Sequence, residues 1–417
     1  MSAILKTDIE RLIADYWDGH SLEQPFYRSP DVFERDMERV LFRRWLLVDH
    51  ESRIPDKGDY FLFNIGNESI IIIRESDDKV NALFNVCRHR GSRVCLEQQG
   101  NKRLLTCPYH AWTYNLDGEL RAPPLMPSDF DKTKHNLHKC HVTVYHGLIF
   151  VCLSEDSPPD FAEEYAPFDE MMDFHGFKDA KIAIKRDYPN CCNWKLVVEN
   201  FLECYHCASS HPEYCSVHPP DQLLALGAGP GSGPEEAMEK YQPILDEWTE
   251  KTLAMGHPVP EFERDENSLD LAQLSRVPIN DRNFASETRD GKPACKKLMG
   301  KFREYDRGET AFVFNPTNYI LAFNDFALMV RFTPRDAVNT DVQFSWLVHK
   351  DAEEGVDYDT DNLIWVWDVT TKQDKKITED NNAGIMSSRY RPGPYSMHEA
   401  RVATFIRWYL NAIRLPA

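Results

Sequence analysis

Two histidines and a carboxylate near the middle of the chain have the residue types of a metal site. Glu203 lies three residues before His206, and His211 follows His206 by five residues. Five residues turn an ideal helix by about 140°, so the two histidines cannot share one face of a straight helix. If both bind one metal, the helix must end or loosen between them, and Pro212 is consistent with such an ending. A histidine pair without other signals is more often structural than metal-binding.

Two short loops about a hundred residues earlier each combine one cysteine with one histidine. Cys87-Arg-His89 is followed, after seventeen residues, by Cys107-Pro-Tyr-His110. Two thiolates can hold one iron and two imidazoles the other, which is the ligand set of a Rieske [2Fe–2S] centre. A structural zinc site is the alternative, but zinc fingers usually pair cysteine with cysteine and histidine with histidine. The mixed order favours the iron–sulfur cluster, and Cys95, between the loops, is predicted to be a packing residue.

A one-electron donor on the same chain changes the interpretation of the histidine pair. An iron(II) centre that activates O₂ needs two histidines, one carboxylate and open coordination positions. His206 and His211 would supply the histidines, and the predicted cluster would supply electrons one at a time. Together the two motifs predict reductive oxygen activation.

Length and composition restrict the class of protein. The chain has 417 residues, enough for two or three domains, and its 42% apolar and 12% aromatic content is typical of a globular protein. Its 67 acidic and 48 basic residues give a net charge of −19, which argues against nucleic acid as a partner. No run of 18 apolar residues predicts a membrane span, and the N-terminus lacks a secretory pattern. Eleven scattered cysteines indicate reduced thiols and a cytoplasmic location.

The sequence patterns divide the chain into three regions and predict an α+β fold. Residues 1–45 are predicted to form a helical segment that packs on the catalytic domain, with Ser29-Pro30 opening one helix. Residues 46–157 contain short β-rich runs and a turn signal at Asp117-Gly118, and predict a small all-β domain. Residues 158–417 predict a catalytic domain with an antiparallel sheet flanked by helices, a helix-grip-like arrangement.

Several elements of the third region can be placed from the sequence. Strands are predicted between residues 312 and 350, with a hairpin turn at Asn324-Asp325. A helix is predicted over about 371–386, and another opens at Ser396, where Glu399 completes a capping box. The Gly/Pro-rich stretch at 227–234 is predicted to be a flexible loop.

These motifs together resemble the terminal oxygenase component, or α subunit, of the Rieske non-haem iron oxygenases. The resemblance covers nearly the whole chain, and the paired Cys-x-His and Cys-x-x-His loops are its most specific part. It implies two cofactors, a [2Fe–2S] Rieske cluster and a mononuclear Fe(II). The implied cluster ligands are Cys87, His89, Cys107 and His110, and the implied iron ligands are His206, His211 and Asp374.

The third iron ligand is implied by the resemblance alone. The segment from Gln373 to Ser387 resembles the Gln-Asp…Glu…Gly…Ser pattern of the family, in which Asp374 takes the ligand position and Glu379 the later glutamate. Asp380 and Asp325 are alternatives, although a solvated helix face and a hairpin turn explain them equally well.

The resemblance also implies roles for residues around His206. Glu203 matches a carboxylate that, in the family, bridges this histidine to a Rieske histidine of the neighbouring subunit, here His110, so a homotrimer is expected. Many members carry Asp at this position. Glu203 and the Glu-Cys-Tyr-His-Cys string resemble the branch that acts on quaternary ammonium compounds, such as the glycine betaine, carnitine and stachydrine oxygenases. Asn200 is expected near the iron, and Cys204 and Cys207 are expected to be packing residues.

Three functions follow as hypotheses. The first is hydroxylation or oxidative N-demethylation of a small quaternary ammonium substrate, with O₂ and a separate NAD(P)H-dependent flavin/iron–sulfur reductase. Aromatic side chains would then hold the cation, although the sequence does not show which of its 49 aromatic residues do so. The second is hydroxylation of an aromatic ring, which predicts an apolar pocket. The third is a non-catalytic Rieske electron carrier without a mononuclear iron.

Overall fold

The computed structural model describes residues 7–226, 235–260, 272–280 and 282–414. Two units can be distinguished by their internal contacts: a smaller unit of residues 42–159, and a larger unit of residues 1–41 with 160–417. The predicted loop at 227–234 lies outside the described residues. Within the described ranges, no helix is both long and apolar enough to span a membrane.

The smaller unit is built mainly of strands, as predicted, with short 3₁₀ turns at Glu51–Arg53 and Lys132–His135. Seven of the strands form an antiparallel sheet in the order β1-β10-β9-β4-β3-β2-β5, and β6, β7 and β8 form a second small sheet. The strands are β1 Leu46–His50, β2 Asp59–Ile65, β3 Glu68–Ser76, β4 Lys79–Phe84, β5 Gln99–Asn101, β6 Leu105–Thr106, β7 Thr113–Tyr114, β8 Leu120–Ala122, β9 Lys139–Tyr145 and β10 Leu148–Cys152.

The turn predicted at Asp117-Gly118 is longer than two residues. Strands β7 and β8 are joined by residues 115–119, in which the Asn115 N–H donates to Glu119 O at 2.9 Å. Gly118 has φ +87°, and a Cβ on it would lie 2.9 Å from the side chain of Leu83. The form of the turn is therefore determined by its packing against the main sheet. Local sequence signals for turns do not include such packing.

The larger unit has a six-stranded antiparallel sheet in the order β11-β16-β15-β14-β13-β12. Its strands are β11 Ala180–Asn190, β12 Gln273–Pro278, β13 Gly308–Asn315, β14 Asn318–Ala322, β15 Ala327–Asp336 and β16 Asn339–His349. The helices are α1 Ile9–Ala14, α2 Gln24–Arg28, α3 Pro30–Asp36, α4 Phe161–Tyr165, α5 Asp169–His175, α6 Trp194–Phe201, α7 Cys207–Ser210, α8 Pro212–Val217, α9 Pro220–Leu226, α10 Glu235–Ala254, α11 Thr360–Ile385 and α12 Ala400–Arg414.

Helix α11 begins eleven residues before the start predicted at about residue 371. Asp359 caps it by accepting a hydrogen bond from the Asn362 N–H at 3.0 Å. The first half of the helix, from Leu363 to Thr371, is rich in β-branched and aromatic residues, which have a low helix propensity. The buried face of this half includes Val366 and Trp367, and the Tyr188 hydroxyl of β11 donates to Asp368 at 2.7 Å. Tertiary packing therefore overrides the local preference.

A buried carboxylate holds the start of α6, the helix that leads into the histidine pair. Asp36 of α3 accepts hydrogen bonds from Lys195 Nζ at 2.6 Å, Trp194 Nε1 at 2.9 Å and the Tyr409 hydroxyl at 2.7 Å. Burial lowers the pKa of Lys195, and the ion pair with Asp36 only partly offsets this. Asn193 caps α6 by accepting from the Lys195 N–H at 3.0 Å. Helices α3, α6 and α12 are thus connected at one point.

The C-terminal helix begins as its sequence predicts. The Ser396 side chain and the Glu399 carboxylate form the predicted capping box, which opens a 3₁₀ turn at Met397–Glu399 immediately before α12. The apolar positions spaced for one helix face are all buried: Val402, Phe405, Ile406, Tyr409, Leu410 and Ile413.

Candidate iron centres

The two Cys/His loops of the smaller unit have the same backbone hydrogen bonds. In the first loop the Cys87 N–H donates to Ser92 O at 2.8 Å, and the Gly91 N–H donates to Cys87 O at 2.9 Å. The second loop repeats both bonds around Cys107, at 2.8 and 3.1 Å. Gly91 and its counterpart Ala111 both have a positive φ, +77° and +57°. The backbone therefore forms two equivalent turns.

These turns bring the four predicted cluster ligands together. Cys87 and Cys107 are both buried, with 2% of their surface exposed, whereas His89 and His110 are exposed and their ring centroids lie 4.6 Å apart. Burial and the neighbouring Cys107 thiol raise the pKa of Cys87, a penalty on the thiolate that bound iron would remove. Two buried sulfur donors beside two exposed imidazoles fit a Rieske [2Fe–2S] cluster.

Two side chains that support these loops were missed from the sequence. The Trp112 ring stacks on His89 with centroids 4.9 Å apart and planes 7° apart. The Tyr114 hydroxyl accepts from the Arg88 N–H at 3.1 Å and lies 3.2 Å from Cys87 Sγ. They lie two and four residues after His110, in a stretch whose residue pattern predicts only a short strand.

The helix in the larger unit is interrupted around the histidine pair, as the spacing required. Helix α6 ends at Phe201, and His206 is the N-cap of the single turn α7. His211 ends that turn with φ −128° and ψ 69°, and α8 begins at Pro212. The two imidazole rings are thereby brought to a centroid distance of 5.0 Å, at 81° to each other.

Asp374 of α11 lies between these two rings. Its Oδ1 is 3.3 Å from His206 Nε2 and 3.0 Å from His211 Nε2. The other ring nitrogens face acceptors: His206 Nδ1 lies 2.5 Å from Glu203 Oε1, and His211 Nδ1 lies 2.9 Å from Gln373 Oε1. Gln373 Nε2 donates to a carboxylate at 2.7 Å, so the orientation of the amide is determined.

The tautomers that follow from these contacts fit a bound divalent metal. Because each Nδ1 faces an acceptor, we infer that it carries the proton and that each Nε2 directs a lone pair at Asp374 Oδ1. His211 Nε2 and Asp374 Oδ1 are buried and have no hydrogen-bond partner among the described residues. Two lone pairs 3.0 Å apart repel each other unless a cation lies between them.

The pKa shifts show that the position between the rings favours positive charge. Burial lowers the pKa of His206, but its contacts with Asp374 and Glu203 outweigh burial and raise it to about 10. Burial raises the pKa of Asp374, but the two imidazoles outweigh this and the net shift is downward. The cluster thus attracts positive charge, which a metal ion would supply in place of the proton.

The alternative carboxylates occupy other positions. Asp380 is exposed and forms an ion pair with Lys376 at 2.5 Å. Asp325 is buried in the predicted turn and accepts from the Ser286 hydroxyl at 2.8 Å, and burial raises its pKa to about 6. Glu379 accepts from a backbone N–H at 2.9 Å. Among the described carboxylates at these candidate positions, Asp374 is the one that contacts both histidines.

Two further predicted residues lie beside His206. Asn200 Nδ2 is 3.2 Å from His206 Nε2, so the amide can donate to it. The Cys207 thiol is buried, and its sulfur lies within 4.8 Å of donor nitrogens of His206 and His211. Contact with Cys204, followed by burial, raises the pKa of Cys207, which keeps it a neutral thiol. Cys204 is half-buried and lines the cavity described next.

A cavity of about 150 Å³ opens beside the histidine pair and Asp374. Phe201, Tyr214 and Trp367 line its walls. The Tyr214 and Trp367 ring centroids are 5.5 Å apart, and those of Phe201 and Trp367 are 6.3 Å apart. Glu309 of β13 also lines the cavity. Tyr214 could have been found from its position three residues after His211, whereas nothing in the sequence connected Trp367 or Glu309 with this site.

Comparisons with known proteins agree with both centres. Residues 44–145 match the family described as Rieske [2Fe-2S] domain, and residues 177–414 match the family described as ring hydroxylating alpha subunit (catalytic domain). The glycine betaine monooxygenase oxygenase subunit of Pseudomonas aeruginosa is 37% identical over 393 residues, covering 93% of this chain and 88% of that protein. Its counterpart from Chromohalobacter salexigens is 37% identical over 400 residues, covering 94% and 86%.

Solved structures show the same fold. A quaternary ammonium Rieske monooxygenase superposes with a TM-score of 0.69 at 23% identity, covering 98% of this chain and 99% of that one. The predicted α+β fold with its two cofactor domains is confirmed, and the match to the catalytic domain contradicts the hypothesis of a non-catalytic electron carrier. The chain therefore belongs to the Rieske-type ring-hydroxylating oxygenases, enzymes whose α subunits carry a Rieske [2Fe–2S] domain and a mononuclear iron catalytic domain.

Proposed function

We propose that this enzyme hydroxylates an N-methyl group of a small betaine-type quaternary ammonium compound and thereby demethylates it. The observation that carries the proposal is the wall of aromatic faces, Phe201, Tyr214 and Trp367, beside the histidine pair. Aromatic faces attract quaternary ammonium groups through cation–π interactions. The two glycine betaine monooxygenase subunits, similar over nearly the full length, support this substrate class.

Hydroxylation of an aromatic ring is the competing function, because the family is described by that reaction. It requires an apolar pocket for the ring. The Glu309 carboxylate lines the cavity, and an uncharged ring placed against it would leave a desolvated charge without a partner. This feature favours a cationic substrate.

We assign the ligands of the two centres as the resemblance implied. Cys87, His89, Cys107 and His110 would hold the cluster, and His206, His211 and Asp374 the mononuclear iron. Loaded in this way, the two centres supply the electrons and the activation of O₂. Glu203 and Gln373 accept the Nδ1 protons of His206 and His211, which holds each Nε2 toward Asp374. The cavity walls then place the substrate methyl group beside these three ligands.

The chemical balance accounts for the products. One oxygen atom of O₂ enters a C–H bond of the N-methyl group, and the other leaves as water after uptake of two electrons and two protons. The resulting carbinolamine breaks its C–N bond and releases formaldehyde, a tertiary amine and a proton. The electrons would come from a separate NAD(P)H-dependent flavin/iron–sulfur reductase.

Glu203 is proposed to connect neighbouring subunits of a homotrimer. Its carboxylate accepts from His206 Nδ1 and from the N–H groups of Tyr205 and His206. A free lone pair would accept from the exposed ring of His110 in a second copy, linking cluster to iron. We further propose domain boundaries of 1–45, 46–157 and 158–417, and a cytoplasmic location.

The test is turnover of the iron-loaded enzyme with a generic NADH-dependent reductase. Glycine betaine, carnitine and stachydrine are compared with benzoate and anthranilate, and formaldehyde and NADH are measured together. We expect equimolar formaldehyde and NADH consumption with at least one betaine. Asp374→Asn should abolish turnover but retain the cluster absorbance, whereas Asp380→Asn, a matched change on the exposed face of the same helix, should be active. Diol formation from an aromatic acid, without turnover of any N-methyl compound, would refute the proposal.

A further inference from the structure

We propose that the carboxylate of Glu309 is the group that recognises the positive charge of the substrate and selects an ammonium over an uncharged group of the same shape. This inference rests on the proposed function and identifies the residue that would determine its substrate class. Glu309 lies in the sheet that forms the floor of the cavity.

The position of Glu309 is unusual for a charged residue. On β13 it pairs across the sheet with Val277 of β12, and Ala311, two residues on, pairs with Leu321 of β14. Val277, Ala311 and Leu321 also line the cavity, so the floor around the carboxylate is largely apolar. A charge in such surroundings loses hydration, and it is normally retained only where a partner offsets that loss.

The partner is not a neighbouring basic side chain. No lysine or arginine in the described part of the chain forms an ion pair with Glu309. The nearest charged groups are His218 and Glu287, whose donor and acceptor atoms lie within 4.8 Å of those of Glu309. His218 Nε2 contacts one Glu287 oxygen at 2.5 Å, and Trp367 Nε1 donates to the other at 2.6 Å.

His218 and Glu287 neutralise each other. Burial lowers the pKa of His218, but Glu287 outweighs burial and the net shift is upward, which favours the imidazolium. Glu309 therefore carries the negative charge of this group that has no cationic partner of its own among the described residues. Burial, followed by the nearby Glu287, raises the pKa of Glu309 to about 7, and the opposing effect of His218 is smaller.

Gln222 provides a second, independent indication of a ligand. It is 6% exposed, lines the same cavity, and donates through Nε2 to Pro278 O at 2.9 Å and Ile279 O at 3.1 Å. Its Oε1 is buried without a hydrogen-bond partner among the described residues. Pro278 pairs with Gly308, which directly precedes Glu309. The Gln222 amide and the Glu309 carboxylate therefore lie at the same end of the cavity. Two acceptors without partners, beside aromatic walls, produce a negative potential suited to an ammonium group.

A metal ion fits the same group less well. His218 Nε2 must carry a proton to bond Glu287, so it has no lone pair for a metal. Both Glu287 oxygens already accept from N–H donors. Of these three residues only Glu309 would be left as a free ligand, whereas structural and catalytic zinc sites take three or four protein ligands.

Tyr214 connects this end of the cavity with the histidine pair. Its ring lies 4.5 Å from that of His218 and 6.5 Å from that of His211, measured between centroids. A trimethylammonium group held between Glu309 and the Tyr214 and Trp367 faces would extend a methyl group toward the proposed iron ligands. The same charge that binds the substrate would thereby orient it.

The test compares two ligands of one shape and two matched variants. Glycine betaine and its carbon isostere 3,3-dimethylbutanoate are titrated anaerobically into the full-length holoenzyme by calorimetry. We expect Glu309→Gln to weaken betaine binding on the order of 100- to 1,000-fold, the loss of one charge attraction over about 4 to 6 Å at an effective dielectric constant near 20, and to leave isostere binding unchanged or tighter. Glu304→Gln, which alters an exposed carboxylate five residues earlier, should affect neither ligand.

Each outcome has a defined meaning. If the wild type binds betaine and Glu309→Gln binds it equally well, or loses both ligands equally, the inference is wrong and the proposed function stands. If the wild type binds no N-methylated compound, the proposed function fails, and the inference with it. If the wild type binds a second Zn²⁺ ion and Glu309→Gln does not, this group binds a metal rather than an ammonium, and the inference is wrong. Glu309→Asp, which keeps the charge, should retain most of the discrimination even if the glutamine variant folds poorly, as judged by cluster absorbance.

Discussion

Replacing Gln373 by leucine should weaken iron binding at the mononuclear site without affecting the cluster. Gln373 Oε1 accepts the Nδ1 proton of His211 at 2.9 Å, and its Nε2 donates to Glu213 at 2.7 Å. Leucine removes both bonds but approximately preserves the volume. Removing one partner of a buried hydrogen bond leaves the other unsatisfied, which costs about 1–3 kcal/mol. This cost agrees with the roughly 10- to 100-fold loss of metal affinity typical of such supporting residues.

The assay is competition for Fe(II) with a chelator of known affinity, with iron counted after equilibration. Because the cluster is held by other residues, its visible absorbance is an internal control in the same sample. Lys372→Leu is the matched control variant, since Lys372 precedes Gln373 on α11 but is exposed and pairs with Asp368. Unchanged Fe(II) affinity in Gln373→Leu would show that His211 needs no support at Nδ1, and the argument from tautomers would fail.

Two further predictions concern the cluster and the pocket. Tyr114→Phe should lower the reduction potential of the cluster, because it removes a hydroxyl 3.2 Å from Cys87 Sγ that stabilises the more negative reduced state. The potential is measured in a redox titration followed by circular dichroism, with Tyr109→Phe as the control that should not change it. An equal or higher potential in Tyr114→Phe would contradict the assignment. Betaine affinity should rise with pH up to about 7, by at most about tenfold per unit, because Glu309, faced by Glu287, His218 and Tyr214, is neutral below its raised pKa and negative above it. The same pH slope in Glu309→Gln would assign the dependence to another group.

Most of the proposed ligands could be predicted from the sequence because their motifs are local. The loops at 87–89 and 107–110 are three and four residues long, and their equivalent turns need only short-range hydrogen bonds. The five-residue spacing of His206 and His211 correctly required an interruption of the helix. Asp374 was placed by resemblance, since one Asp on a helix carries no signal of its own.

The cavity could not be predicted because its parts come from distant segments. His218, Glu287 and Glu309 are separated by 69 and 22 residues and meet only when the sheet forms. Trp367 lies in the half of α11 that was not predicted to be helical, because its β-branched and aromatic neighbours favour a strand. The sequence alone does not show that Glu309 faces the cavity, because the phase of strand β13 is known only from its pairing with β12.

The residues proposed for oxidation and the residue proposed for substrate selection lie in separate segments of the chain. The acceptors that orient the imidazoles lie next to ligands in sequence: Glu203 is three residues before His206, and Gln373 directly precedes Asp374. The proposed metal geometry thus depends on two short segments, 203–211 and 373–374. Glu309 is on the sheet, and none of its contacts described above involves a proposed iron ligand. A substitution there can alter the charge of the accepted substrate while the metal ligands and their supports stay in place, which would allow one oxidising centre to serve different substrates.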